Sequence, residues 1–204
     1  MSDARQFALD LGHRPAFGRE DFLIAASNRE AVAWIDAWPN WSGPVLVVHG
    51  PAGSGKSHLG AVWSERSAAV DLRAGDSPRE RLGAARACLV DDADSFPDDV
   101  AFFHLLNLAA ERRGHVLVLA ATPPARWERR LADLTSRLRA APTVAIQPPD
   151  DALIGAVLVK LFADRQIRVG AEAIHYLVKH MERSLGAARD VVAGADELAL
   201  STNR

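Results

Sequence analysis

The amino-acid sequence predicts a parallel α/β domain followed by a small all-helical lobe, and three observations lead there. Short, continuously apolar runs alternate with helix-like segments from Val45 to Ile146. Strands buried on both faces read that way, and the intervening helices supply the crossovers a parallel sheet needs. After QPPD (147–150) the alternation stops, and three helical stretches follow with no strand between them. Finally, a glycine-rich turn, GPAGSGKS (50–57), joins the first strand-like run directly to a helical segment.

Each element has its own justification. Residues 12–22 (GHRPAFGREDF) are polar, with Gly and Pro, and read as an irregular lead-in. A helical pattern covers 27–38, with Ser27 or Asn28 as its N-cap. PNWSGP (39–44) breaks it, and VLVVH (45–49) is the first strand. HLGAVWSERS (58–67) is helical, AAVDL (68–72) is the second strand, and ACLV (87–90) is the third, ending in DDAD. A helix over 98–112 precedes the fourth strand, HVLVLA (115–120). ARWERRLADLTSRLRA (125–140) reads as one Arg-rich amphipathic helix with a solvated charged face, and TVAI (143–146) as the fifth strand. The lobe holds helices near 150–164, 171–181 and 185–200.

Bulk composition narrows the function classes. A chain of 204 residues can bury a sizeable core. Its net charge of −2 provides no global basic field for nucleic acid. Positive charge is lopsided, 21 Arg against three Lys (Lys56, Lys160, Lys179), so each Lys is singled out. The single cysteine, Cys88, excludes an intrachain disulfide and reads as a buried thiol in a reducing compartment. No signal-peptide pattern opens the sequence, and its apolar runs fall far short of the ~20 residues a membrane span requires. The chain reads as cytoplasmic.

GPAGSGKS fits the phosphate-loop pattern G-x-x-x-x-G-K-[ST]. Gly50, Gly53 and Gly55 let the backbone, Ser54 included, turn tightly and aim N–H groups at phosphate oxygens. Lys56 offers a point charge to the β- and γ-phosphates from a solvated position, and the Ser57 hydroxyl can ligate Mg²⁺. About 35 residues later, CLVDD (88–92) ends a strand in two carboxylates. Asp91 is placed for the metal and Asp92 for polarising an attacking water. The scattered His residues lack metal-ligand spacing, and the Trp residues read as packing. QFALDL (6–11) puts Phe7, Leu9 and Leu11 on one side of an extended chain. By pattern alone it is a short edge strand, a flap over the core, or a peptide for another protein's groove.

VLVVHGPAGSGKSHL, CLVDDAD, LTSRLRA and VAIQPPD, in that order, resemble the AAA+ module of the bacterial replication initiator DnaA. The likeness runs from about residue 17 to 200 and implies an AAA+ P-loop parallel-sheet domain (17–148) with an all-helical lid subdomain (149–204). Residues 1–16 then form an N-terminal peptide and linker. DFLIAASN (21–28) is similar to the family's adenine-cradling lead-in, which implies that Leu23 and Ile24, with His58 after the loop, contact ADP or ATP. The initiator's DNA-reading helix-turn-helix and its single-strand-binding insertion have no counterpart in this sequence. The resemblance therefore lies with family members that switch the initiator off. It implies that Gln6, Phe7, Leu9 and Leu11 bind the DNA polymerase sliding clamp, and that DNA is met only through the clamp. It implies that Arg137 is an arginine finger acting on ATP bound to DnaA. Gly186 and Ala121 stand where the family's nucleotide-sensing lid arginine and strand-end polar residue are expected, which implies weak or absent ATPase of its own. Self-association and the absence of a membrane partner fit the same picture. Two other readings remain open: a DnaA-like adaptor or helicase loader, and a stand-alone small-molecule kinase or NTPase.

Overall fold

The continuously apolar runs form five parallel strands: β1 (Val45–His49), β2 (Val70–Asp71), β3 (Ala87–Val90), β4 (His115–Ala120) and β5 (Thr143–Ala145). The computed structural model describes residues 22–202. The strands lie in the order β2-β3-β4-β1-β5, so β4 separates β1 from β3. In register, Val47 of β1 lies between Val118 of β4 and Thr143 of β5.

Both faces of the sheet are covered, which is why the strands carry no polar alternation. Val45 and Val47 point into one core with Phe102, Leu105, Leu134 and Leu138. These come from α4 (Asp99–Glu111) and α5 (Ala132–Ala140). Leu46 and Val48 point into the other, against Ile35 of α1 (Arg29–Asp36) and Leu59 and Trp63 of α2 (Lys56–Ser67). Each such side chain contributes roughly 1.5–3 kcal/mol when fully buried. The tryptophans close the edge of this second core. Trp41 stacks on Trp63 at 5.6 Å, Trp38 meets Trp63 edge-on at 6.2 Å, and the His115 ring abuts Trp41 at 5.4 Å.

Beyond β5 the chain enters α6 (Asp151–Asp164), α7 (Ala171–His180) and α8 (Leu185–Thr202). Asp150 caps α6, its carboxylate accepting from the Leu153 N–H at 2.7 Å. These helices share a separate core of Leu153, Ile154, Leu158, Phe162, Leu185, Ala188 and Val192, with Leu23 and Ala25 packed against it. Among the described residues, no helix is long and apolar enough to cross a membrane.

The structure departs from the sequence reading in two stretches of the sheet domain. Only two residues of AAVDL pair as a strand, and a short helix, α3 (Pro78–Leu82), follows it. The Arg-rich segment is not one helix: 124–126 form a single 3-10 turn, and α5 begins only at Ala132. The cause is Asp99. Its Oδ2 accepts from the N–H groups of Arg130 (2.8 Å) and Leu131 (3.4 Å), while its Oδ1 accepts from Arg129 Nη1 at 3.0 Å. Arg129 also donates to the carbonyls of Phe96 and Ala93. With its side chain only 6 % exposed, Arg129 is not part of a solvated face. It pins the segment in an extended path against α4.

Candidate nucleotide site

The loop between β1 and α2 is built by backbone constraints. Gly50 N–H donates to Ala120 O at 3.1 Å, tying the loop's start to the end of β4. A side chain at Gly50 would collide with Ile146 O. Gly53 has φ +69° and Gly55 φ +99°, backbone that favours glycine. Lys56 opens α2 and is 8 % exposed, not solvated as its role suggested. Its Nζ donates to Gly50 O at 2.7 Å and Pro51 O at 2.9 Å, so the loop wraps its own lysine. Burial lowers the Lys56 pKa, and the nearby carboxylates of Asp91, Asp92 and Asp94 oppose that shift. Ser54 is buried beside Gly50; its N–H donates to Pro51 O at 3.3 Å, and its Oγ has no hydrogen-bond partner among the described residues.

The acidic side lies at the end of β3. Ser57 and Asp91 line one groove of about 1040 Å³ together with Asp92, Ala61 and Ser95. Asp91 Oδ1 accepts from the Asp92 N–H at 2.9 Å, and Asp92 is exposed in left-handed backbone (φ 48°). A hydroxyl and a carboxylate on one groove suit a hard cation that keeps water and phosphate oxygens as its remaining ligands. Among the described residues no group of three or more His, Cys, Asp or Glu side chains is arranged to hold a metal by itself. At the end of β4, the Ala121 N–H donates to Asp94 Oδ2 at 3.2 Å. His49, at the end of β1, is held below its ordinary pKa by burial and then by Arg126 and Lys56.

Three contributors escaped sequence reading. Phe22 is buried, contacts His58 edge-on at 5.3 Å, and lies 3.9 Å from where a Cβ on Gly55 would sit. Asn28 is the N-cap residue of α1, as expected, but its side chain makes no capping hydrogen bond: the amide accepts from Ala25 N–H at 2.9 Å and donates to Leu23 O at 2.9 Å. It thereby staples the lead-in, with Leu23 half-buried and Ile24 51 % exposed. The third is the lid. Leu185 N–H donates to Gly53 O at 2.8 Å, and a Cβ on Gly53 would stand 2.6 Å from Ser184 Cβ. The N-terminus of α8 thus rests on the phosphate loop, with Gly186 in its first turn. Neighbouring Arg183 pairs with Asp151 of α6 at 3.1 Å.

Arg137 stands apart from this cluster, exposed in the last turn of α5. Its guanidinium lies over the Phe103 ring at 4.8 Å. Gln6, Phe7, Leu9 and Leu11 lie outside the described residues.

No protein-family model matches the chain. Its fold is that of AAA+ modules, a parallel five-stranded sheet with flanking helices and a C-terminal helical part. Among solved structures, domain III of the Thermotoga maritima replication initiation protein DnaA matches with a TM-score of 0.79 at 15 % identity. That match covers 94 % of this chain and 92 % of that one. AMPPCP-bound DnaA from Aquifex aeolicus matches with a TM-score of 0.70 at 18 % identity. It covers 91 % of this chain, which spans 65 % of that DnaA's length. A RuvB from Thermotoga maritima matches with a TM-score of 0.65 at 13 % identity, over 87 % of this chain and 63 % of its own. The likeness to DnaA is one of fold.

Proposed function

We propose that this chain is an Hda-like negative regulator of replication initiation. It binds ADP or ATP through Gly50, Gly53–Ser57 and the lead-in at Leu23 and Ile24. It docks on the DNA polymerase sliding clamp through Gln6–Leu11, and it stimulates hydrolysis of ATP bound to DnaA. The observation that carries this reading is Arg137, an exposed guanidinium that pairs with no carboxylate among the described residues.

In the chain's own site, loop N–H groups and Lys56 hold the phosphates, and Phe22 and His58 wall the approach. A Mg²⁺ ion there would be held by Ser57 and Asp91 and would neutralise charge on the phosphate oxygens. Asp92 is available to orient water. Gly186 on the lid and Ala121 at the end of β4 carry no charge at the two positions where the family's nucleotide-sensing groups are expected, which fits weak hydrolysis of its own nucleotide. In the partner's site, Arg137 supplies a planar fork of donors to the γ-phosphate oxygens as charge develops on them. The clamp peptide keeps the protein where DNA has been loaded, so DNA is met only through the clamp. A cytoplasmic setting and the capacity to self-associate belong to the same proposal.

Turnover of ATP preloaded on DnaA, measured with this protein in the presence and absence of clamp-loaded DNA, tests the reading. Acceleration that requires the clamp, and that Gln6→Ala with Leu9→Ala abolishes, is the expected result. Clamp binding without acceleration would leave the adaptor or helicase-loader reading standing instead.

A further inference from the structure

The contact between Arg137 and Phe103 carries a role for a residue that no motif marks. Phe103 lies on α4, half-buried and packed against the core beneath the sheet. Leu134 and Leu138 of α5 are fully buried in that same core and fix the spacing of the two helices. The ring sits under the Arg137 guanidinium at 4.8 Å, within cation–π range. Among the described residues, Arg139, two positions on, has no such platform and donates to the Ala125 carbonyl at 3.5 Å.

We infer that Phe103 is a positioning residue for Arg137. Resting on the regulator reading above, the inference goes beyond it by naming what aims the finger. An exposed arginine has several rotatable bonds and loses considerable side-chain entropy when fixed. Stacking on an aromatic ring limits that freedom before a partner arrives. The contact is compatible with function because an aromatic ring attracts the guanidinium charge without supplying a lone-pair acceptor for its N–H groups. Arg137 so placed keeps donors for phosphate oxygens. A carboxylate partner would have used those donors and competed with phosphate.

The test is a double-mutant cycle with the full chain, read as hydrolysis of DnaA-bound ATP at saturating protein and clamp-loaded DNA. Phe103→Leu keeps apolar packing but removes the ring, and stimulation should fall about two- to five-fold, the scale of an exposed cation–π contact. Phe103→Tyr should retain it. In an Arg137→Ala background, Phe103→Leu should cost nothing more. An independent arm needs no partner: the Arg137 Hε resonance should be ring-current shifted in the wild type and in Phe103→Tyr, but not in Phe103→Leu. Unchanged stimulation by Phe103→Leu, an equal loss in the Arg137→Ala background, or an unshifted Hε would each overturn the inference. If Arg137→Ala stimulates like wild type, the regulator reading falls and the positioning role with it. A ring-current shift persisting in that case would locate the failure in the function and not in the contact.

Discussion

Lys56 and Arg137 are the two cations on which the account turns, and their surroundings are opposite. Lys56 is 8 % exposed, enclosed by a loop that spends two of its own carbonyls on the ammonium. Arg137 is exposed and rests on an aromatic face. A compact ammonium fixed by backbone serves one location, and its burial lowers its pKa. A guanidinium keeps its charge and offers a rigid fork that a surface can present to another molecule. On the function proposed above, the contrast divides the labour: the phosphate loop would hold this chain's own nucleotide, and α5 would reach toward a neighbour's.

The largest expected effect lies on the outward side. Arg137→Ala should lower stimulated hydrolysis of DnaA-bound ATP by about 10³-fold, the scale of a finger supplied in trans. Arg139→Ala should lose far less, and equal losses from the two would erase the distinction between them. On the inward side, Lys56→Ala should weaken ADP binding by about 10- to 100-fold in calorimetric titration, the worth of charge-assisted hydrogen bonds. Because Lys56 also ties down Gly50 and Pro51, the melting temperature should fall as well, which a solvated lysine would not cause. Gly53→Ala sharpens the lid's part in that region. Its φ of +69° and the 2.6 Å approach of Ser184 make a methyl group costly. We expect about tenfold weaker ADP binding and a melting temperature lowered by roughly 5 °C. Unchanged binding would release the lid from the phosphate loop.

The smallest effect concerns pH. His49 and His115 are both held below their ordinary pKa, chiefly by burial. Below pH 6.5 the unfolded chain therefore takes up protons that the folded protein resists. Stability should be fully present above that pH, decline as pH falls toward the lowered folded values, and then level off. Thermal melts between pH 5 and pH 7.5 should show this slope, and His115→Gln should flatten it.

What could be read from the sequence was local, and what could not was long-range. The central strands β1, β3 and β4 were legible because burial on both faces leaves each as a nearly unbroken apolar run. The phosphate loop was legible because its glycines and lysine are demanded within eight consecutive residues. The start of α5 was not, since the carboxylate that takes the N–H of Arg130 comes from Asp99, 31 positions earlier. Asn28 was legible as the N-cap residue of α1, but its amide serves the turn before the helix. The contact of Gly53 with Ser184 and Leu185 joins the loop to the lid, and no spacing rule foretells it. Arg137 was singled out by resemblance to a family and not by its own neighbourhood, among 21 arginines.

Calorimetric titration of ADP into Arg137→Ala tests the separation of the two cations most directly. The account predicts the wild-type dissociation constant, because Arg137 belongs to a partner's site. A loss of tenfold or more would put Arg137 in its own chain's nucleotide site and contradict the account.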